Sequence, residues 1–262
     1  MTIELLVIDP QVDFVDPAGA LSVPGADSDM NRLARFVHRH SEQLDAIHIT
    51  LDTHQRMDIS HPMWWLDEQG VPPEPFTSFT AAQVKEGKWR TRHPEAAARS
   101  LAYLEALEAG GRYPHLVWPE HCLLGGPGHA IWSPLREAVH AWEGQGRRSE
   151  LLLKGRNPWT EHFSAVRAEV VDPDDPHTQL RQGWVQQRAE ASELLVSGEA
   201  LSHCVANTVR DLVDAWGTDA RRVTLLTDTC SSVGGFEAVG ERFIEDLTSR
   251  GMKLATTETW HP

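Results

Sequence analysis

The chain has little cysteine, no long hydrophobic run and a shortage of positive charge. Three cysteines in 262 residues, Cys122, Cys204 and Cys230, give no disulfide framework and suit a reducing compartment. No apolar stretch approaches the ~20 residues of a membrane span, and the first residues enter a strand without a charged-then-apolar leader. A cytoplasmic protein with no membrane partner is expected. Lysine and arginine number 24 against 38 acidic residues, and a net charge of −14 argues against nucleic acid as a partner. Repeats and low-complexity tracts are absent. What remains is a 40% apolar fraction, enough for a substantial core, in a length that one large α/β domain can absorb.

The apolar runs are short and evenly spread. Residues 3–8, IELLVI, read as a buried parallel strand that stops at Asp9-Pro10. Asp13 follows closely, and two carboxylates at a strand's carboxyl end sit where open parallel sheets build sites. Asp13 reads equally well as a turn residue. Helices are expected over roughly 27–40, 94–109, 128–142 and 236–250, and further strands over 46–51, 151–153, 194–197, 222–227 and 252–256. Residues 157–188 are polar and read mainly as loop with a late helix.

The stretch 193–216, ELLVSGEALSHCVANTVRDLVDAW, organises the rest. Its apolar start is a buried strand, Gly198 ends it, and Ser202 is a fair N-cap for the amphipathic helix that follows. Cys204 then falls in the first helical turn, just past a strand end. Unpaired N–H groups and the helix dipole there favour a thiolate, and the same amides suit the oxyanion of an acyl-transfer intermediate. The plain alternative is a small buried apolar residue.

Asp52-Thr-His54 ends the second strand, and His121 lies in a loop-like stretch, Trp118-Pro-Glu-His121-Cys122. A carboxylate and two imidazoles suit one divalent metal ion, Zn, Fe or Mn, with Asp58 and His61 as candidate further ligands. Between His61 and Trp118 the strand–helix alternation is interrupted by a proline- and aromatic-rich insertion, about 62–117, large enough to form a lid. Lys85, Lys88, Arg90 and Arg92 around Trp89 read as a solvated patch. The glycine-rich turn at 125–128 lacks the lysine and spacing of a phosphate loop. Lys154 stands at the end of its strand, and Cys230 reads as structural.

In this order, Asp9, Asp52, His54, His121, Lys154 and Cys204 resemble the isochorismatase-like cysteine hydrolases, and within them the nicotinamidase/pyrazinamidase enzymes. The matching pieces are LLVIDPQVDF (5–14), GALSVPGAD (19–27), DTH (52–54), WPEHC (118–122), the Lys154 strand and GEALSHCV (198–205), spread over almost the whole chain. The resemblance implies one domain over 1–262: a doubly wound, six-stranded, mostly parallel sheet with helices on both faces. It makes Asp9, Lys154 and Cys204 a catalytic triad and Asp52, His54 and His121 metal ligands. The amides of Ala200 and Cys204 become an oxyanion hole after a cis peptide at Glu199–Ala200, and Phe14, Trp118 and Phe163 become pocket aromatics. The implied activity is metal-assisted hydrolysis of a small carboxamide to the acid and ammonia through a thioester.

The chain departs from that pattern at Glu199 and Leu201, where the family carries an apolar residue and a threonine. Glu199 is expected to face the pocket and favour a substrate with a donor or positive charge. Hydrolysis of another amide or a ureido compound is the nearest alternative. A non-catalytic binding protein on the same fold is a second, and a non-haem iron oxygenase a third, since two histidines and a carboxylate also describe its site. Homo-oligomerisation is left open by the sequence.

Overall fold

Short apolar runs flanked by turn residues become strands wherever they lie between two helical layers. The computed structural model describes residues 2–262. In chain order the strands are β1 (Ile3–Ile8), β2 (Ala46–Asp52), β3 (Trp65–Asp67), β4 (Trp89–Thr91), β5 (Glu150–Lys154), β6 (Glu193–Gly198), β7 (Val223–Leu226) and β8 (Lys253–Ala255). Six form one sheet in the order β5-β2-β1-β6-β7-β8, every neighbouring pair parallel. β1 and β6 are buried along their full length, which is why they read as unbroken apolar runs instead of alternating ones.

From β1 the chain moves outward through β2 to β5, then returns to β6 and moves the other way. The reversal beside β1 is a topological switch point, and its carboxyl side is open to ligands. The Ala26–Arg39 helix packs against Ser133–Glu143, and Ala206–Ala215 against Glu237–Ser249. Right-handed crossovers put these two pairs on opposite faces.

Two local expectations are corrected. The helix expected over 128–142 begins only at Ser133, behind a single 3-10 turn at Pro127–His129. Residues between them run alongside the end of β1: Val12 N–H donates to Ala130 O at 2.9 Å and Trp132 N–H to Pro10 O at 2.8 Å. Those tertiary bonds outweigh helix propensity. Ser202 is not an N-cap either; it lies inside a π-helical turn, Leu201–Val205, that precedes the Ala206–Ala215 helix. Its hydroxyl accepts from Val233 N–H at 3.2 Å and pairs with His203 Nδ1 at 2.9 Å.

The insertion builds a core of its own. Trp64, Trp65, Phe79, Tyr103, Leu104 and Leu107 bury one another around the Ala97–Gly110 helix, apart from the main core. Trp64 and Trp65 therefore spend their apolar surface on this second core, Trp65 as the first residue of β3, which pairs antiparallel with β4.

Candidate active site

Register delivers the reacting groups. Asp52 pairs directly with Lys154 across β2 and β5. Asp9 follows β1 on the other side, and the β6 turn brings Cys204 next to it. Four adjacent strands thus present lysine, two aspartates and a thiol along one carboxyl edge. Gly198 makes the β6 exit feasible: its φ is +120°, and a Cβ there would lie 2.0 Å from Ile8 O. Asp9 itself has φ +44°, a left-handed conformation uncommon for a residue with a side chain.

Lys154 Nζ is the hub. It lies 3.0 Å from Asp9 Oδ2, 2.9 Å from Asp52 Oδ1 and 3.6 Å from Cys204 Sγ, and donates to His162 O at 3.0 Å. Lysine and both aspartates are buried. Burial pulls the lysine down, but Asp52, Asp9 and Cys204 outweigh it and hold the ammonium well above its usual range. Burial pushes Asp52 up, but His54 and Lys154 keep it well below the carboxylate range. Asp9 is pushed up, by burial above all, with Lys154 opposing. These groups titrate as a set.

The thiol corrects one expectation. Burial pushes Cys204 well up, and Asp9 and Asp52 add to that against Lys154. Burial and the two aspartates thus oppose the thiolate that a helix dipole favours. Cys204 sits in the π turn, ahead of the longer Ala206–Ala215 helix.

The Glu199–Ala200 peptide is cis, as the resemblance implied. Glu199 N–H bonds Ile8 O at 2.8 Å and Leu201 N–H bonds Ser231 O at 2.8 Å. Among the described residues, none accepts a hydrogen bond from the Ala200 amide between them. The Glu199 side chain does not face the pocket. It is fully buried, accepts from Ser231 N–H at 3.1 Å and lies against Asp29. Burial and Asp29 push its carboxyl well up, so a substrate charge has no part in balancing it.

A cavity opens against Cys204 and Ala200. Phe14, Trp118 and Phe163, the three aromatics named from the sequence, all line it, together with Asp52 and His121. Glu161 and His203 line it too, and sequence reasoning missed both. His203 was readable as the neighbour of Cys204; Glu161, in an aperiodic polar stretch, carried no signal. Burial lowers His203 to about 4, so it enters the pocket as neutral imidazole, stacked on Tyr113 with ring centroids 4.9 Å apart.

Beside the cavity, His54, His61 and His121 each offer a ring nitrogen within 4.8 Å of the others, all buried. Asp52 Oδ2 is 3.1 Å from His54 Nε2 and 3.5 Å from His121 Nε2. The remaining nitrogens explain the orientation. His54 Nδ1 lies 3.0 Å from Asp58 Oδ2, and His121 Nδ1 lies 2.8 Å from Pro119 O and 3.3 Å from His61 Nε2. Both Nε2 atoms are thereby turned to one carboxylate oxygen, an N/N/O donor set that suits a divalent ion, with a His61 nitrogen beside it as a further candidate ligand and Asp58 orienting His54. Gln11 fixes the strand end beneath it, exchanging two 2.7 Å bonds with the Asp52 backbone. Asp13 proves to be an anchor: its Oδ2 accepts from Cys122 N–H at 2.6 Å, next to His121. Cys230 is buried and takes no part.

No family model matches the chain. Over 260 residues it is 24% identical to the nicotinamidase of Escherichia coli (strain K12), covering 98% of this chain and 95% of that protein. The crystal structure of the yeast nicotinamidase Pnc1p bound to the inhibitor nicotinaldehyde superposes with a TM-score of 0.68 at 18% identity, covering 97% of this chain and 100% of that one. The pyrazinamidase of Pyrococcus horikoshii in complex with zinc superposes at 0.59, with 20% identity and coverage of 98% and 99%. The resemblance read from the sequence, and the six-stranded parallel fold it implied, are borne out.

Proposed function

We propose that this chain, similar over nearly its whole length to nicotinamidases, is an amidohydrolase that cleaves a small planar carboxamide, nicotinamide or a close analogue, to the acid and ammonia. The observation that carries the reading is the meeting of Lys154 Nζ with Asp9 at 3.0 Å and with Cys204 Sγ at 3.6 Å, where Cys204 itself lines an aromatic cavity. Asp9 takes the Cys204 proton as the sulfur attacks the carbonyl carbon, and Lys154 balances the charge. The Ala200 and Cys204 amides receive the carbonyl oxygen as it becomes an oxyanion. Asp9 then returns the proton to the departing nitrogen, ammonia leaves, and water cleaves the thioester to release the acid and restore the thiol.

Phe14, Trp118 and Phe163 hold the ring, since flat aromatic walls favour offset or edge contact with another ring. Asp52, His54 and His121 would hold one divalent ion, whether zinc, iron or manganese, and when bound it supplies a positive centre that orients a ring nitrogen or a water. Glu199, buried against Asp29 and Ser231, presents no charge to the substrate, and the cavity's aromatic walls suit plain nicotinamide. The insertion, 62–117, backs residues of the pocket: Tyr113 OH donates to Ser202 O at 2.8 Å, in the turn that carries Cys204, and its ring stacks on His203. We read it as a buttress of the nucleophile turn.

Ammonia release from nicotinamide, pyrazinamide, benzamide and a ureido compound tests the reading. Nicotinamide should be hydrolysed with kcat/KM of at least about 10⁴ M⁻¹s⁻¹, and stoichiometric iodoacetamide should stop it by labelling Cys204 ahead of Cys122 and Cys230. Metal-replete protein that releases ammonia only from the ureido compound would favour the alternative hydrolase.

A further inference from the structure

A second cavity, of about 210 Å³, lies at the carboxyl end of β5, the edge strand of the sheet. It shares no lining residue with the aromatic cavity, and Lys154 stands between the two. Arg156, Arg181, His162, Asn157 and Asp175 are among its walls. On a chain of net charge −14, two arginines facing one cavity need an explanation. Among the described residues, no carboxylate lies within ion-pair distance of either guanidinium. Arg181 donates one bond, to Leu153 O at 2.6 Å, and its buried Nε has no partner. Asp175, the acidic wall residue, is already committed: it accepts from His177 N–H at 2.9 Å and from Asn157 Nδ2 at 3.0 Å.

His162 stands in the wall of this cavity, fixed by Gly155 N–H, which donates to its Nδ1 at 3.2 Å.

We propose that this cavity binds a small phosphate anion, free or as the head of a phosphomonoester, through Arg156 and Arg181. Two planar guanidinium forks match an anion with three or four oxygens, each fork taking two of them. Pockets for whole drug-sized ligands run about 300–1,000 Å³, so this one takes a head group. Lys154 lines the same cavity, and the carbonyl of His162 in its wall accepts from Lys154 Nζ at 3.0 Å. An anion there therefore steadies the ammonium, and by linkage the occupied amide site favours the anion in return.

Calorimetric titration of the metal-replete protein with inorganic phosphate, at constant ionic strength, tests this without reference to hydrolysis. One site per chain is expected, with Kd about millimolar or tighter, weakened about tenfold or more in R156A and in R181Q. Arg156 is exposed, so R156A keeps the test decisive should R181Q fail to fold. Ribose 5-phosphate displacing phosphate would assign the phosphomonoester as source; phosphate binding that ribose 5-phosphate cannot displace would assign the free ion. Absence of binding, or binding unchanged in R156A, or displacement by chloride as readily as by phosphate, would overturn the proposal.

Discussion

Strands β1, β2 and β5 carry buried charge at both ends, and the two ends have opposite fates. At the amino end His48 Nδ1 meets Glu150 Oε2 at 2.8 Å and its Nε2 meets Glu4 Oε2 at 3.2 Å, while Arg188 Nε faces Glu4 at 2.9 Å. Trp184 Nε1–H closes the group by donating to Glu150 at 2.9 Å. At the carboxyl end Lys154 stands at similar distances from Asp9 and Asp52. Clustering of opposite charges alone would not tell them apart, though Glu150 at the amino end is half exposed. The difference is what is left over: a thiol within 3.6 Å of the ammonium, an Ala200 amide with no acceptor, and a cavity against both. Buried ion pairs mark structure as readily as chemistry. Unspent bonding capacity beside a cavity marks the site.

Substitution at each end sharpens the contrast. Cys204→Ala should lower kcat by about 10⁴-fold or more and leave the urea midpoint nearly unchanged. Arg188→Met should do the reverse, costing about 3–5 kcal/mol by stranding Glu4, with kcat/KM of the folded enzyme within about twofold of wild type. If Arg188→Met also abolished turnover, the two ends would be one network and the distinction would fall. Lys154→Met belongs to both classes: it strands Asp9 and Asp52 in the interior, at about 3–5 kcal/mol, and removes the charge that balances the nucleophile. A stable Lys154→Met protein with residual activity near wild type would refute its role as hub.

The metal prediction is smaller in scale. His54→Ala should abolish the one divalent ion per chain seen by elemental analysis of protein purified without chelator. Asp58→Asn should retain a site weakened about 10–100-fold, as loss of an outer partner does, whereas Glu4→Gln at the amino end should leave metal content alone. Equal metal loss in Asp58→Asn and His54→Ala would make Asp58 a ligand instead of a support.

Most of the architecture was legible because the strands are short apolar runs ending in Asp9, Asp52, Lys154 and Gly198, and burial on both faces leaves that pattern little freedom. The ordered site residues carried the family resemblance for the same reason. What was not legible depended on tertiary direction. Glu199 follows a strand and precedes the nucleophile turn, yet nothing in its neighbours says that it turns towards Asp29 and Ser231. Ser202 has the chemistry of a cap, but the π turn uses its hydroxyl to hold Val233 N–H. For Cys204, local dipoles are readable from sequence, whereas burial beside two carboxylates, which opposes them, is not.

His115 offers a third kind of buried charge-bearing group, with neither the partners of His48 nor the cavity of Cys204. It sits in the insertion's core with ring centroids 4.8 Å from Phe79 and 5.4 Å from Trp65, and its Nε2 has no partner. Burial, which Asp58 only partly offsets, lowers it to about 3. Unfolded, the same imidazole titrates near 6.5. Between those values the unfolded chain binds a proton that the folded chain refuses, so stability rises with pH across the window. The contribution is complete above about pH 6.5 and is lost as pH falls towards 3, at about 1.4 kcal/mol per unit over most of the range. His115→Leu should therefore flatten the fall in unfolding free energy, measured by urea titration, between pH 7.5 and 5.5 by about 1.4 kcal/mol. The other buried neutral histidines, His61, His162 and His203, titrate alike in both proteins and cancel from the difference. Identical pH slopes for wild type and His115→Leu would mean that the insertion's core admits the protonated ring, and that burial without a partner is cheaper there than at either end of the sheet.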